Sequence, residues 1–244
     1  MNNLNILGVI TARGGSKGIA RKNIKLLGGK PLIAYTVEQA KQSELITDLI
    51  ISTDDKEIAQ VAEKYGCLVP FLRPQGLARD ETPHLPVLQH ALREMEKREA
   101  KQFDMVVLFQ PTSPFRTKED IDQTIKLLID SKADSAVSLV EVEKDNHPMK
   151  MKKIEEKGGF KFVLPYCLEE PEGIRRQDLP VCFQRSGAVY VQTRELLLEK
   201  NRLYGDKIVG HIVPKERSID IENELDWLRA EHMLKNLKEA GWQF

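Results

Sequence analysis

The sequence predicts an α/β fold, doubly wound around a mostly parallel sheet of the Rossmann-like kind. Three observations carry that prediction. Apolar runs of strand length alternate with amphipathic segments of helix length across residues 5–143. The strand runs are apolar throughout rather than every second residue, which suits strands covered on both faces. The segments between them are long enough to cross the sheet and bring the next strand in parallel.

Residues 5–12, NILGVITA, are the first strand run. Beyond a glycine-rich loop, Lys30 and Pro31 open the helix PLIAYTVEQAKQS, since proline's fixed φ and missing N–H suit a first helical turn. LIISTD (49–54) is a strand, and in the next helix Ile58, Val61, Ala62 and Tyr65 recur at i, i+3, i+4 and i+7. Asp54 and Glu57 are spaced as its capping box and Gly66 as its stop. CLVPFL is a short strand, HLPVLQHALREMEKREA a helix and MVVLFQ (105–110) a strand. TKEDIDQTIKLLIDSKA is a helix capped by Thr117 with Asp120, and SAVSLVEVE a further strand.

After residue 143 the rhythm changes. MKMKKI, EEKGG and FKFVLP predict a polar hairpin followed by the loop YCLEEPEGIRRQDLP, an arm inserted at about 145–180 into a single domain spanning 1–244. Alternating charge on such a hairpin suits either a partner subunit or solvent. CFQRSGAVYVQ and KIVGHIVP return to strand character, and ENELDWLRAEHMLKNLKEAG is a long helix ending at Gly241.

Composition narrows the function. The chain has 244 residues, with Lys+Arg and Asp+Glu both at 37, so no global field draws it to nucleic acid or a membrane, and a charged ligand must be met by a local cluster. No stretch approaches the ~20 apolar residues of a membrane span, and the N-terminus lacks the basic start of a signal peptide, which predicts a cytoplasmic protein. Cys67, Cys167 and Cys182 are odd in number and widely spaced, and are read as buried small apolar residues of a reducing compartment. The five histidines show no tight metal-ligand spacing, and most are read as structural or surface residues.

One local cluster stands out. TARGGSKGIARKN follows the first strand, at the edge of an open α/β sheet where ligands bind. Gly14, Gly15 and Gly18 let backbone N–H groups converge on an anion, and Arg13, Lys17, Arg21 and Lys22 add charge without one acid. The loop suits a nucleotide's phosphates. It matches neither Gly-x-x-x-x-Gly-Lys-Ser/Thr nor Gly-x-Gly-x-x-Gly, which disfavours a P-loop ATPase or a dehydrogenase. FQPTSPFR, stiffened by Pro111 and Pro114, either presents Gln110, Thr112, Ser113 and Arg116 to a ligand or is a rigid turn into a helix. In SIDIENELDW, Asp220 and Glu222 at i and i+2 point to one face of an extended segment and suit Mg²⁺ beside phosphate oxygens, although Asn223 and Asp226 also read as a helix cap. Arg175, Arg176 and Arg185 suit a carboxylate or phosphate, or pair with Glu169, Glu170 and Glu172.

These stretches together resemble the acylneuraminate cytidylyltransferase family, which activates nonulosonic acids with CTP. The resemblance rests on ARGGSKGIARKN, RPQGLARD (73–80), FQPTSPFR, RRQDLP, RSGAVYV and SIDIENELD in the family's order and spacing. It implies that Arg13, Gly15, Ser16, Lys17 and Lys22 hold the CTP phosphates and that Asn23, Arg73 and Thr82 contact ribose and cytosine. It further implies that Gln110, Lys150, Arg176 and Ser186 meet the sugar acid, and that Asp220 and Glu222 hold Mg²⁺. Arg13, Lys17, Lys22 and Asp220 are the catalytic candidates, for in-line attack of the sugar's anomeric hydroxyl on the α-phosphorus with loss of pyrophosphate. Family members are homodimers whose inserted arm crosses to the partner. Three departures stand out: Ala20 where proline is common, Ser186 where asparagine is usual, and Glu222 where aspartate is frequent. The alternatives are a synthetase for CMP-Kdo or another NDP-sugar, or a non-catalytic nucleotide-binding protein.

Overall fold

β1 (Ile6–Thr11) divides its side chains between two apolar layers, Ile6 and Ile10 to one and Leu7 and Val9 to the other. All four are at most 2% exposed. The structure is a computed structural model and describes residues 4–168 and 173–242. The chain falls into two units, one taking in the chain up to Leu139 and again from Arg185, the other Val140–Gln184.

In the first unit β4 (Asp48–Ser52) and β5 (Met105–Phe109) flank β1, both parallel to it. β6 (Ser135–Glu141), β9 (Phe183–Thr193) and β10 (Ile208–Ile212) complete a sheet of order β10-β6-β9-β5-β1-β4. β9 runs antiparallel to β5, so the sheet is mostly parallel, as the sequence predicts. α1 (Leu32–Gln42), α2 (Lys56–Lys64) and α4 (Lys118–Ser131) cover one face, burying Ile33, Val37, Ile58, Ile121 and Ile125 with Ile10. α3 (His84–Glu99) and α5 (Arg194–Leu198) cover the other through Leu88, Leu92, Met95 and Leu197. α6 (Glu224–Glu239), capped by Asn223 and Asp226, packs Trp227, Ala230 and Leu234 on Leu27, Leu32 and Tyr35. The chain leaves β1 toward β4 and later returns to β5 on its other side. A cleft therefore opens outside the carboxyl ends of β1 and β5.

Several local expectations are corrected. CLVPFL is only a parallel bridge, Ile50 with Leu68, because Pro70 has no N–H to continue a ladder. Asp55, not Asp54, caps α2, accepting from Glu57 and Ile58 N–H, while Asp54 is turned to the backbone of Gly14. Pro31 lies just outside α1, in β3 (Lys30–Pro31), which pairs with β2 (Leu26–Leu27) across Gly28 and Gly29, both at positive φ. Cys67 is buried, but Cys167 and Cys182 are only half-buried, in a unit with little core of its own.

That second unit contains a hairpin, β7 (Lys152–Lys157) with β8 (Phe160–Pro165), turned by Gly158 and Gly159 at positive φ. Every β7 side chain is exposed, as are Phe160, Phe162 and Val163. Lys150 and Arg176 both reach Asp145, at 3.5 and 3.4 Å, and Arg175 pairs with Asp178. The pairing considered with Glu169, Glu170 and Glu172 lies outside the described residues.

Charged side chains are buried in the first unit. Arg116 is 1% exposed; its guanidinium donates to the carbonyl oxygens of Gln110 and Ala188 and to the Thr36 hydroxyl. Burial pulls its pKa down to about 9, against the charges of Asp120 and Asp220, so it stays protonated at neutral pH. Asp120 accepts from Arg217 in bidentate fashion and from His211. Burial would raise the Asp120 carboxyl, but hydrogen bonds from His211, Arg217 and the Thr117 backbone hold it far below the usual carboxylate range. The stability it contributes is therefore present above the unfolded value of about 3.9 and lost as pH falls through the lowered native one. Asp120→Asn leaves the Arg217 charge buried and unpaired, and is expected to lower the urea-derived stability at pH 7 by roughly 3–5 kcal/mol. The deficit should shrink as the pH approaches the acid limb.

Candidate active site

The cleft encloses about 420 Å³ and is lined by the loop after β1, the segment from Arg73 to Val87, the loop after β5 and Glu222. From the first loop come Arg13, Ser16, Lys17, Gly18, Lys22 and Asn23. Gly14 N–H donates to Asp54 at 3.0 Å and Asn23 Nδ2 to the Arg13 carbonyl at 3.0 Å, which folds the loop back on itself. Gly18 has a steric reason: a Cβ there would collide with the carbonyl oxygen of Glu222. Lys22 is 9% exposed and donates to the Ile221 carbonyl at 2.7 Å, with Glu222 Oε2 at 3.7 Å.

Arg21 does not join them. It sits at φ 56 and its guanidinium is engaged by Asp55 and Glu57 at the start of α2, away from the cleft lining. The Arg21 hydrogen bond holds the Asp55 carboxyl below its ordinary value. Gly15 is exposed and outside the lining, and nothing crowds the position a Cβ would take there.

On the facing side Arg73 is buried and donates to the Ser52 hydroxyl at 2.9 Å and to the Ser52 carbonyl. Burial brings its pKa down to about 10, so it too remains a cation. Asp80 accepts from Arg13 and lies 2.5 Å from Lys17 Nζ, so one carboxylate bridges two of the loop cations. Thr82 lies one turn further on, its N–H donating to the Arg79 carbonyl at 3.2 Å. His84 Nε2 is 2.9 Å from Gln110 Nε2. His84 lines the cleft and so stands apart from the histidines read as structural or surface residues.

Asp220 and Glu222 flank Ile221, which is fully buried, so both carboxylates lie on the exposed side of an extended segment. Glu222 lines the cleft. Asp220 lies toward Gly187, near Gln110 Oε1 and Ser113 Oγ, and its carboxylate has no hydrogen-bond or ion-pair partner among the described residues. Thr11 Oγ1, on the cleft wall, is buried and likewise unpartnered. An oxygen-only set with a free carboxylate fits a hard divalent cation. No group of three or more acids, histidines or cysteines among the described residues could hold one alone.

Ser186 differs from expectation. It is buried, and its hydroxyl donates to Ser138 Oγ at 2.7 Å rather than lining the cleft, because alternation along β9 puts it on the sheet face it shares with Ser138 of β6. Lys150 and Arg176 belong to the second unit. His84, Asp80, Arg79 and Thr11 were not expected as site residues. Asp80 and Arg79 lie in RPQGLARD, so a signal existed, but nothing local says that Asp80 reaches Arg13 and Lys17.

An open α/β sheet with a cationic glycine loop at its switch point, facing two carboxylates, defines a nucleotidyltransferase. A sequence profile of the cytidylyltransferase family matches residues 7–156, and the chain belongs to that family. It is 32% identical to CMP-N,N'-diacetyllegionaminic acid synthase of Legionella pneumophila, over 97% of this chain and 99% of that protein. It is 31% identical to N-acylneuraminate cytidylyltransferase of Escherichia coli, over 91% of this chain and 50% of that protein. In fold it is similar to a CMP:2-keto-3-deoxy-manno-octonic acid synthetase complexed with CTP, at TM-score 0.69 and 16% identity over 95% and 99% of the two chains.

Gly18→Ala pushes the loop off the 221–222 backbone. A misplacement of that order is expected to reduce turnover by about 100-fold. Steady-state kinetics beside thermal unfolding would check that the loss is of activity and not of fold.

Proposed function

We propose that this enzyme transfers the cytidylyl group of CTP to a nonulosonic acid, giving the CMP-sugar acid and pyrophosphate, with Mg²⁺, in the cytoplasm. The observation that carries the proposal is the cleft itself, with Arg13, Lys17, Lys22 and Arg73 gathered beside Gln110 and the two carboxylates. Its support is similarity over nearly the full length of both chains to a synthase named for a sugar acid of this class.

Arg13, Lys17 and Lys22 hold the triphosphate. Arg13 and Lys17 do so by exchanging Asp80 for phosphate oxygens. Backbone N–H groups of the glycine loop, Gly15 and Ser16 among them, complete the phosphate contacts. Asn23, Arg73 and Thr82 contact the nucleoside, and Gln110 the sugar acid. The sugar's anomeric oxygen forms its bond to the α-phosphorus as the bond to the β-phosphate bridging oxygen breaks. Charge grows on the departing pyrophosphate, where the three loop cations meet it. Asp220, free of partners among the described residues, relays the proton released by the attacking hydroxyl to solvent through a water on one carboxylate oxygen, which leaves the other oxygen for a metal. Asp220 and Glu222 are the residues that would hold Mg²⁺, which when bound neutralises phosphate charge and orients the reacting oxygens. The second unit supplies a homodimer contact through exposed Phe160, Phe162 and Val163, and Lys150 and Arg176 supply charge for the sugar carboxylate.

The test is pyrophosphate release with Mg²⁺ and each of the four nucleoside triphosphates, against a panel of nonulosonic acids and Kdo, with mass spectrometry of the product. CTP-dependent turnover with a nonulosonic acid is the expected result. Turnover with Kdo alone would move the enzyme to that synthetase class, and none across the panel would favour a binding protein. Asp220→Ala should lower kcat by ~10²–10⁴-fold. Undiminished turnover would remove Asp220 from the reaction.

A further inference from the structure

The Gln110 amide has a neighbour on each side. Its Nε2 lies 2.9 Å from Nε2 of His84, the first residue of α3. Its Oε1 is turned toward Gly187, where two more oxygens converge. From the point a Cβ on Gly187 would occupy, Ser113 Oγ is 2.6 Å away, Gln110 Oε1 3.5 Å and Asp220 Oδ2 3.7 Å. No side chain fills that point because residue 187 is a glycine at φ +78, and Ser113 Oγ crowds it from one side. Ser113 gives its proton to the Ser186 carbonyl at 3.3 Å, and an ionised Asp220 only accepts. The convergence is therefore one of acceptors.

A glutamine can turn either its oxygen or its nitrogen to such a place, and His84 decides which. Burial, and after it the charge of Arg73, hold the His84 imidazole below its ordinary pKa, which keeps it neutral at pH 7. A neutral imidazole accepts at one nitrogen. With Nε2 accepting, Gln110 gives its NH2 to His84 and turns its carbonyl toward Gly187, beside Ser113 Oγ and Asp220 Oδ2.

We propose that His84 is a positioning residue that locks the Gln110 carbonyl toward Gly187, so that Gln110 and Asp220 form an acceptor patch reading a hydrogen-bond donor on the sugar acid, a hydroxyl or acylamino N–H. The inference rests on the sugar-acid reading of the cleft. Protonation of His84 reverses the arrangement: Nε2 becomes a donor, the amide flips, and an NH2 then opposes the sugar's donor. The charged groups facing this part of the cleft are Arg73, Arg79 and Asp80 ahead of α3, Arg13, Lys17 and Lys22 from the loop after β1, and Glu222 ahead of α6.

The histidine tautomer can be read without substrate. In ¹⁵N-resolved NMR at pH 7.5 His84 should be the Nδ1–H form, and an Nε2–H form overturns the proposal even in an active enzyme. In Gln110→Glu the new carboxylate should move the His84 pKa up, whereas an unmoved value means the two side chains do not touch. With CTP and the accepted sugar acid, His84→Ala should raise the sugar KM about 10-fold and leave the CTP KM within about 2-fold, the scale of one hydrogen bond. His84→Asn, which keeps an acceptor, should recover part of the loss. An unchanged sugar KM, or equal shifts in both KM values, overturns the proposal. Lack of wild-type turnover with every sugar acid refutes the substrate reading and the patch's role with it, whatever tautomer NMR reports.

Discussion

The structure depends on the burial of the Arg116 guanidinium. A cation that is 1% exposed must have its donors satisfied, and Arg116 uses them to join α1, the end of β5 and β9 at one point. Its bonds to the Gln110 and Ala188 carbonyls fix the backbone on both sides of Gly187. Asp120 and Arg217 do the equivalent for the approach to Asp220, since Arg217 lies three residues before it. The polar interior is thus a frame that sets the spacing of groups at the cleft floor.

Two glycines complete the frame by absence of a side chain. Gly18 lets the cationic loop lie against the backbone at Glu222, and Gly187 lets the ends of β5 and β9 and the Asp220 segment crowd around one point. Gly18 lines the cleft within the run that reads as phosphate-cradling, while Gly187 lies in β9, outside that run. Close backbone approach, and not only anion binding, accounts for the glycine spacing here.

The sheet was legible because its strands are buried on both faces, and a local apolar run reports such burial directly. The Thr117 and Asn223 caps were legible for the same reason, as each partner lies within three residues. The cap of α2 fell to Asp55 because Asp54 had a use forty residues away, at Gly14, that no local pattern records. The site followed the same division. The loop cations could be read as a cluster, but Arg21 left it for Asp55 and Glu57, and His84 entered it by contact with Gln110. Ser186 turns its hydroxyl to Ser138, because the face a strand residue takes depends on register, which no local pattern records.

Asp80 gives the cleft an internal counter-ion. With Arg13 and Lys17 already neutralised, the pocket projects less positive potential into solvent than its row of cations suggests, and long-range capture of anions is correspondingly weak. A ligand must instead compete with a tethered carboxylate at close range. A lone phosphate or sulfate, offering little more charge than the group it displaces, gains little by the exchange, whereas a chain of phosphates spanning both cations gains much. The pocket thereby discriminates by how far a ligand's charge extends, and the common small anions of the cell are poor occupants of it.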